Sequence, residues 1–458
     1  MSKRNLILLV IILIVIVAVI FGFFYFYQPT NQTGDTIEGT NFFANFLPFG
    51  GSKNTTPTNT TPPVDISGYE QPTTGAEISN AVLKKVSSFP IAGFGVFMKE
   101  RFKDIPAVLP TQPVEQNTTN GTQTNKSAVK PIPPPTEFMP ALRYVNKSTG
   151  NIYQTFADKI DERKFSSTVI PKVYEAYFGN KGGSVIMRYL KTDLPTGQAG
   201  NKTIETFVGT LQKEYLGADS VGVNEVTGSF LPENISDMSL SSDSSKIFYL
   251  FKVGDNATGV TYSLQANTKV QIFDSSFTEW LSSWPNNKII TITTKPSANI
   301  PGYMYSINPD SKDFNKILGD INGLTTLTSP NGKMVLYSDN NLSLSIFNTD
   351  TKNSNLLGVK TLPEKCVWET TSDVIYCAVP KLIDQAQYPD SWYQGEVSFS
   401  DKIWKIDVKS GNTTMISDPT LIEGGENIDG IKLTLDENQN YLFFVNKKDS
   451  YLWELNLK

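Results

Sequence analysis

The chain of 458 residues contains no histidine. Ser-His-Asp and Cys-His catalysis, imidazole zinc sites and histidine pH switches are therefore excluded. Cysteine occurs only twice, and a catalytic or metal role for the pair would need partners that the chain does not provide. Basic residues form no stripe, and the formal net charge is −5, which argues against nucleic acid, whose phosphates reward clustered Lys and Arg. From Phe89 onward no sustained 3.6-residue apolar period appears, so helices should be scarce. Calcium loops of the Asp-x-Asp-x-Asp-Gly kind are missing too. The Gly-rich fragments Phe178 to Gly183 and Glu423 to Glu426 lack the Lys-Ser/Thr of a phosphate loop and read as turns. No cofactor or metal is expected.

What is present begins with an uncharged apolar run, Leu6 to Tyr27, of 22 residues. At about 1.5 Å per residue it can cross a hydrocarbon core of roughly 30 Å and reads as one transmembrane helix. Lys3 and Arg4 precede it and the next charge is Asp35, so the positive-inside bias puts residues 1–5 in the cytoplasm and the rest outside. A cleaved signal peptide is the competing reading, but bulky aromatics run straight into Gln28-Pro29 where small cleavage-site residues belong. The expected localisation is the cell membrane, single-pass, with an extracytoplasmic domain. Residues 28–76 turn to Thr, Asn, Pro and Gly and cannot bury enough apolar surface to offset ordering, which predicts a disordered stalk.

With 39% apolar and 11% aromatic residues, the remainder can build one large core. Its pattern is paired strands around a polar turn. They read as Val173 to Phe178 with Ser184 to Leu190, Asp237 to Leu240 with Lys246 to Phe251, and Phe277 to Leu281 with Lys288 to Thr293. The series continues with Leu324 to Thr328 and Lys333 to Ser338, Cys366 to Glu369 and Val374 to Val379, and Ile431 to Leu435 and Tyr441 to Val445. The turn markers Asp243, Asn286, Asn331 and Ser372 are spaced by 43, 45 and 41 residues, the period of a propeller blade. Two further amphipathic strands follow each pair, giving four per unit.

The paragraph LTSPNGKMVLYS, Leu327 to Ser338, and its echo SLSSDSSKIFYL, Ser239 to Leu250, resemble the Ser-Pro-Asp-Gly-Lys repeat of TolB-like and WD40-like propellers. The resemblance implies fold far more than function, and the His and Trp-Asp signatures of true WD40 blades are missing. Such domains mostly bind partners or accompany a catalytic domain that is absent here. The expectation is an all-β, seven-bladed β-propeller over residues 77–458, with six blades as runner-up. A Pro-rich disordered insertion at 104–136 would interrupt the first blade. Val82 to Ser87 would supply the outer strand of the last blade, closing the ring by N-terminal strand exchange.

Strand alternation would gather four long second-to-third connections, Lys191 to Lys202, Lys252 to Gly259, Lys295 to Gly302 and Pro380 to Asp401, on one face. The longest holds Tyr388, Asp390, Trp392, Tyr393 and Glu396. Exposed, these would suit sugar stacking or a protein hot spot; alternatively Trp392 and Tyr393 fold back over the base of their own loop. Cys366 and Cys377 stand opposite one another across a four-residue turn, compatible with a disulfide or with two buried thiols. The function expected is a membrane-anchored binding or scaffold module for a protein, peptide or glycan. The alternative is a propeller enzyme using carboxylates and tyrosines on glycans.

Overall fold

A computed structural model describes residues 82–104, 134–192, 202–216, 224–422 and 425–458. The expected membrane span 6–27, the stalk 28–76 and most of the insertion 104–136 lie outside these residues. Among the described residues no helix is long and apolar enough to cross a membrane.

Among those residues the strands form seven four-stranded antiparallel sheets. Blade 1 is built from Ile91–Phe102, Thr136–Asn146, Ile152–Phe156 and Arg163–Lys164. Blade 2 has Val173–Gly179, Ser184–Thr192, Lys202–Thr210 and Thr227–Phe230, and blade 3 has Asp237–Leu240, Lys246–Val253, Asn256–Ser263 and Lys269–Ser275. Trp280–Asn286, Ile289–Thr294, Pro301–Ile307 and Phe314–Asn322 make blade 4; Thr325–Thr328, Met334–Ser338, Ser343–Asn348 and Ser354–Lys360 make blade 5. Blade 6 follows with Cys366–Trp368, Val374–Pro380, Asp401–Asp407 and Thr413–Ser417. Blade 7 takes Gly430–Leu435, Tyr441–Asn446 and Leu452–Asn456 from the C-terminus and Leu83–Lys85 from the far end of the chain. Leu83 pairs with Leu455 and Lys85 with Trp453, so the ring closes by strand exchange as the sequence suggests.

The second strand of each blade is apolar at consecutive positions because both of its faces are covered. In Lys246–Val253, Ile247 and Tyr249 pack toward blade 2, while Phe248 and Leu250 pack toward blade 4. Val335 and Leu336 divide in the same way between the blade 4 and blade 6 sides. Seven of the buried clusters fill the seven blade-to-blade interfaces. The eighth lies beneath the long connection of blade 6.

First-to-second turns and third-to-fourth turns lie on one face, and second-to-third and inter-blade connections on the other. The Ser-Pro-Asn-Gly turn of blade 5 shows how the first face is made. Ser329 Oγ receives the Met334 amide at 3.0 Å, Asn331 Oδ1 receives the Lys333 amide at 2.9 Å, and Gly332 takes a left-handed φ of 74°. The turns also bond sideways to one another. Asn286 donates to the Pro330 carbonyl at 3.0 Å, the Asn331 amide to Ser372 Oγ at 3.2 Å, and Gln439 to Thr370 Oγ1 at 3.3 Å. Val82 accepts from the Asn456 amide at 3.1 Å, so the chain enters the ring on this turn face.

Two expectations need correction. Lys252 to Gly259 is not a long connection: the ladder runs on to Val253↔Asn256 and closes in the two residues Gly254-Asp255, with Gly254 at φ 60°. Glycine makes that tight hairpin turn sterically free. The first strand of blade 4 starts at Trp280 rather than Phe277. Trp280 is buried and its indole donates to the Phe277 carbonyl at 2.7 Å, leaving Phe277 exposed ahead of the strand.

Candidate functional site

The connection 381–400 of blade 6 is the longest on the loop face among the described residues. Its middle forms one helical turn, Asp390–Gln394, ended by Gly395 at φ 79°, a C-terminal position that favours glycine. Tyr388, Trp392 and Phe399 pack with Leu342, Leu362 and Ile383 into the loop's own cluster.

A buried ion triad lies under that cluster. Lys365 Nζ is bonded to Asp401 Oδ2 at 2.8 Å and to Asp429 Oδ1, and none of the three side chains has exposed surface. Burial by itself would lower the Lys365 ammonium, but Asp401 and Asp429 outweigh it and hold the ammonium above its usual range. Burial pushes the Asp401 carboxyl up to about 6 against the pull of Lys365. Asp429 resists the same burial through Lys365 and its hydrogen bonds and stays below the usual carboxylate range. Its Oδ2 accepts from Trp392 Nε1 at 3.0 Å, the Phe399 amide at 3.1 Å and Ser398 Oγ at 3.2 Å. Lys447 closes the arrangement, donating to the Trp392 carbonyl at 2.8 Å while lying 4.7 Å from the indole centroid. The loop is therefore fixed from below by charge-assisted bonds.

This settles where each expected residue stands. Tyr388 and Trp392 are 4% and 3% exposed, so these two aromatics are inside the loop rather than displayed from it. The apolar cluster and the Asp429 carboxylate draw them down, so the fold-back expected of Trp392 and Tyr393 holds for Trp392 but not for Tyr393. Asp390 ties the loop sideways to blade 4, accepting from the Ala298 amide at 2.6 Å and Ser297 Oγ at 3.3 Å. Tyr393 and Glu396 reach the surface. Cys366 and Cys377 form a disulfide with Cα atoms 4.1 Å apart, directly opposed in the blade 6 ladder.

The Tyr393 hydroxyl donates to Glu364 Oε1 at the channel side of the loop. Burial pushes the Glu364 carboxyl up to about 7, opposed by the bond from Tyr393 and by Lys365 and Lys447. Between this pair and the inner strands of blades 4 and 5 is a cleft of about 60 Å³, lined in part by Ser282, Thr293 and Thr325. Ser282 in turn donates to Asp237 of blade 3 through both its amide and its hydroxyl at 2.6 Å, and burial brings that carboxyl to about 6. Lys432 of blade 7 sits at a register shift in its strand with φ 54°. A bulge of this kind re-aims a side chain, and here Lys432 Nζ comes 3.9 Å from Glu175 of blade 2. The contact therefore joins the two neighbours of blade 1. Glu175 also holds Arg188 and the Tyr177 hydroxyl.

Sequence reasoning missed Glu364, Lys365, Asp401, Asp429 and Lys447. They come from four separate segments, the blade 5–6 link, the start of the third strand of blade 6, the blade 6–7 link and the turn after Asn446, and share no spacing. The one linear trace is a charged residue at the margin of a buried strand, as at Asp401.

No protein-family profile and no curated relative matches the chain. Similar solved structures include an oligogalacturonate lyase from Vibrio parahaemolyticus, with 8% identity, 69% of this chain and 86% of that one covered, and a TM-score of 0.43. A functionally unknown protein from Desulfotomaculum acetoxidans has 12% identity, 69% and 89% coverage and a TM-score of 0.42. TolB from Acinetobacter baumannii has 10% identity, 70% and 77% coverage and a TM-score of 0.36. The propeller architecture of this chain rests on its own strand pairing.

Proposed function

We propose that this chain is a binding or scaffold module, held at the membrane by residues 6–27, whose loop-rich face recognises a protein, peptide or glycan outside the cytoplasm. The observation that carries the reading is the anchored loop of blade 6. A connection of this length is ordinarily mobile, and ordering it on binding would cost affinity. Here the Asp401–Lys365–Asp429 triad orders it beforehand, with Tyr393 and Glu396 exposed on it. The Cys366–Cys377 disulfide supports an oxidising, extracytoplasmic setting.

The test is recovery of surface partners by the full-length protein and by a Tyr393→Ala, Glu396→Ala version. Loss of a partner from the double variant, with the circular dichroism spectrum unchanged, is expected. Equal recovery by both would remove the loop as the recognition surface.

A glycan-acting enzyme is the second reading, favoured by one observation: Glu364 is brought to about 7 beside the Tyr393 hydroxyl, the range of a general acid or base at neutral pH. The cleft there is too small to enclose a sugar ring, so the module is the reading the geometry supports better. Release of new reducing ends from a polysaccharide, abolished by Glu364→Gln, would reverse that order.

A further inference from the structure

The turn face carries a second concavity, far from the anchored loop, between blades 1 and 2. It arises because the first two strands of blade 1 outrun the third. The third strand ends its pairing at Ala141↔Phe156, whereas the first two stay paired with each other as far as Phe102↔Thr136. This ribbon, the turn Asn180–Gly182 and the segment 211–216 enclose about 740 Å³. That volume is of the size that ordinarily holds a ligand.

The walls are fixed. Asn180, Lys181 and Gly182 follow one another at φ 49°, 51° and 83°, an unusual run of left-handed residues. Gly182 seats directly on Phe97, where an added Cβ would come within 2.8 Å of the ring. Arg143 secures the floor: its guanidinium donates to the Gly182 carbonyl and lies 4.0 Å from the Phe165 centroid. Across the cavity, Glu214 is bonded to Lys99 at 2.6 Å and Arg163 at 2.7 Å, which holds segment 211–216 in place.

The lining combines two chemistries. Phe102, Phe138, Tyr215 and Leu216 are 40%, 63%, 69% and 39% exposed, grouped about one concavity. Cations outnumber anions in the lining: Lys99, Arg101, Arg143, Lys181 and Lys213 stand with Glu100 and Glu214, in a chain whose net charge is −5. Arg101 is engaged by Glu137 and Asp158 and Glu214 by its own cations. Lys181 and Lys213 are exposed at the rim.

We infer that this cavity is a docking site for an acidic peptide segment whose carboxylates alternate with apolar or aromatic side chains. Apolar walls give a bare anion nothing to gain, and rim lysines disfavour a purely apolar guest; a segment carrying both satisfies both. The site lies on the face opposite the blade 6 loop, so one ring could hold two partners at once, and it stands whether or not the loop reading does.

The test is fluorescence anisotropy of full-length protein in detergent micelles with end-labelled Glu-Phe-Glu-Leu-Glu, compared with Glu-Ser-Glu-Ser-Glu and Lys-Phe-Lys-Leu-Lys. The first peptide is expected to bind about tenfold more tightly than either control, since each removes one of the two complementarities. Phe138→Ser and Lys213→Glu, both at exposed positions, should each weaken it by about tenfold, and Tyr393→Ala, Glu396→Ala should leave it unchanged. Equal affinity for the three peptides, or indifference to both cavity variants, would overturn the inference.

Discussion

Lys365 shows how much one side chain can decide. It has no exposed surface and lies between two aspartates, so replacing it by methionine would leave two carboxylates buried without their cation. Lys365→Met is expected to cost about 3–5 kcal/mol, measured as a fall in the urea midpoint. Adding Asp401→Asn and Asp429→Asn should restore part of it, and a single variant as stable as the parent would show that the triad does not hold the loop. Glu454 supplies a pH-dependent case. It is 2% exposed in blade 7 with Oε2 unpartnered, and burial pushes it up to about 8, with Lys84 opposing and Asp158 and Asp436 adding to the rise. The folded protein therefore binds a proton that the unfolded chain, with an ordinary carboxyl near 4.5, releases. This contribution is complete below about pH 4.5 and is lost as pH rises toward 8. Glu454→Gln should be more stable than the parent at pH 8 and lose that advantage near pH 4.5, as followed by thermal melts; an advantage independent of pH would disprove the assignment. Neither residue was visible as special in the sequence, because burial and partners come from segments far apart along the chain.

At the scale of an element, the turns were more legible than the loops. Ser-Pro-Asn-Gly specifies its own bonds: a hydroxyl for one amide, an amide oxygen for another and a glycine for the left-handed position. Gly332→Ala meets both that φ and Asn286 Nδ2 at 2.9 Å, so a loss of about 1–2 kcal/mol is expected in the denaturation midpoint. The Cys366–Cys377 bond closes a short loop with a sequence separation of 11. Chain entropy for a loop of that size gives about 3 kcal/mol, so the double serine variant should unfold earlier by that amount. The parent should move to the same midpoint when reduced, and a midpoint unmoved by reductant would contradict it. The blade 6 connection was legible as long and aromatic. Its interior was not, since whether an aromatic faces water or core depends on what the ring places beneath it.

For the whole molecule, closure is the feature that a local reading could reach only by counting. Three C-terminal strands leave blade 7 incomplete, and Leu83–Lys85 completes it with Leu83 and Val86 buried at 8% and 3% exposure. A chain begun at Phe89 lacks both side chains and should lose about 3–6 kcal/mol from burial alone, with an open edge prone to association. Comparison of melting temperature and sedimentation with a chain begun at Val64 checks this, and equal, monomeric behaviour would show that the ring does not depend on the exchanged strand. By itself the sequence determined the all-β class, the blade period, the turn chemistry and the opposition of the two cysteines, because each follows from alternation, spacing or a residue's own conformational limits. Only the tertiary structure decided that Trp392 is buried on Asp429, that Lys432 of blade 7 meets Glu175 of blade 2, and that a cavity opens between blades 1 and 2. Those depend on distances between residues remote in sequence, which the ring sets when its seven interfaces close.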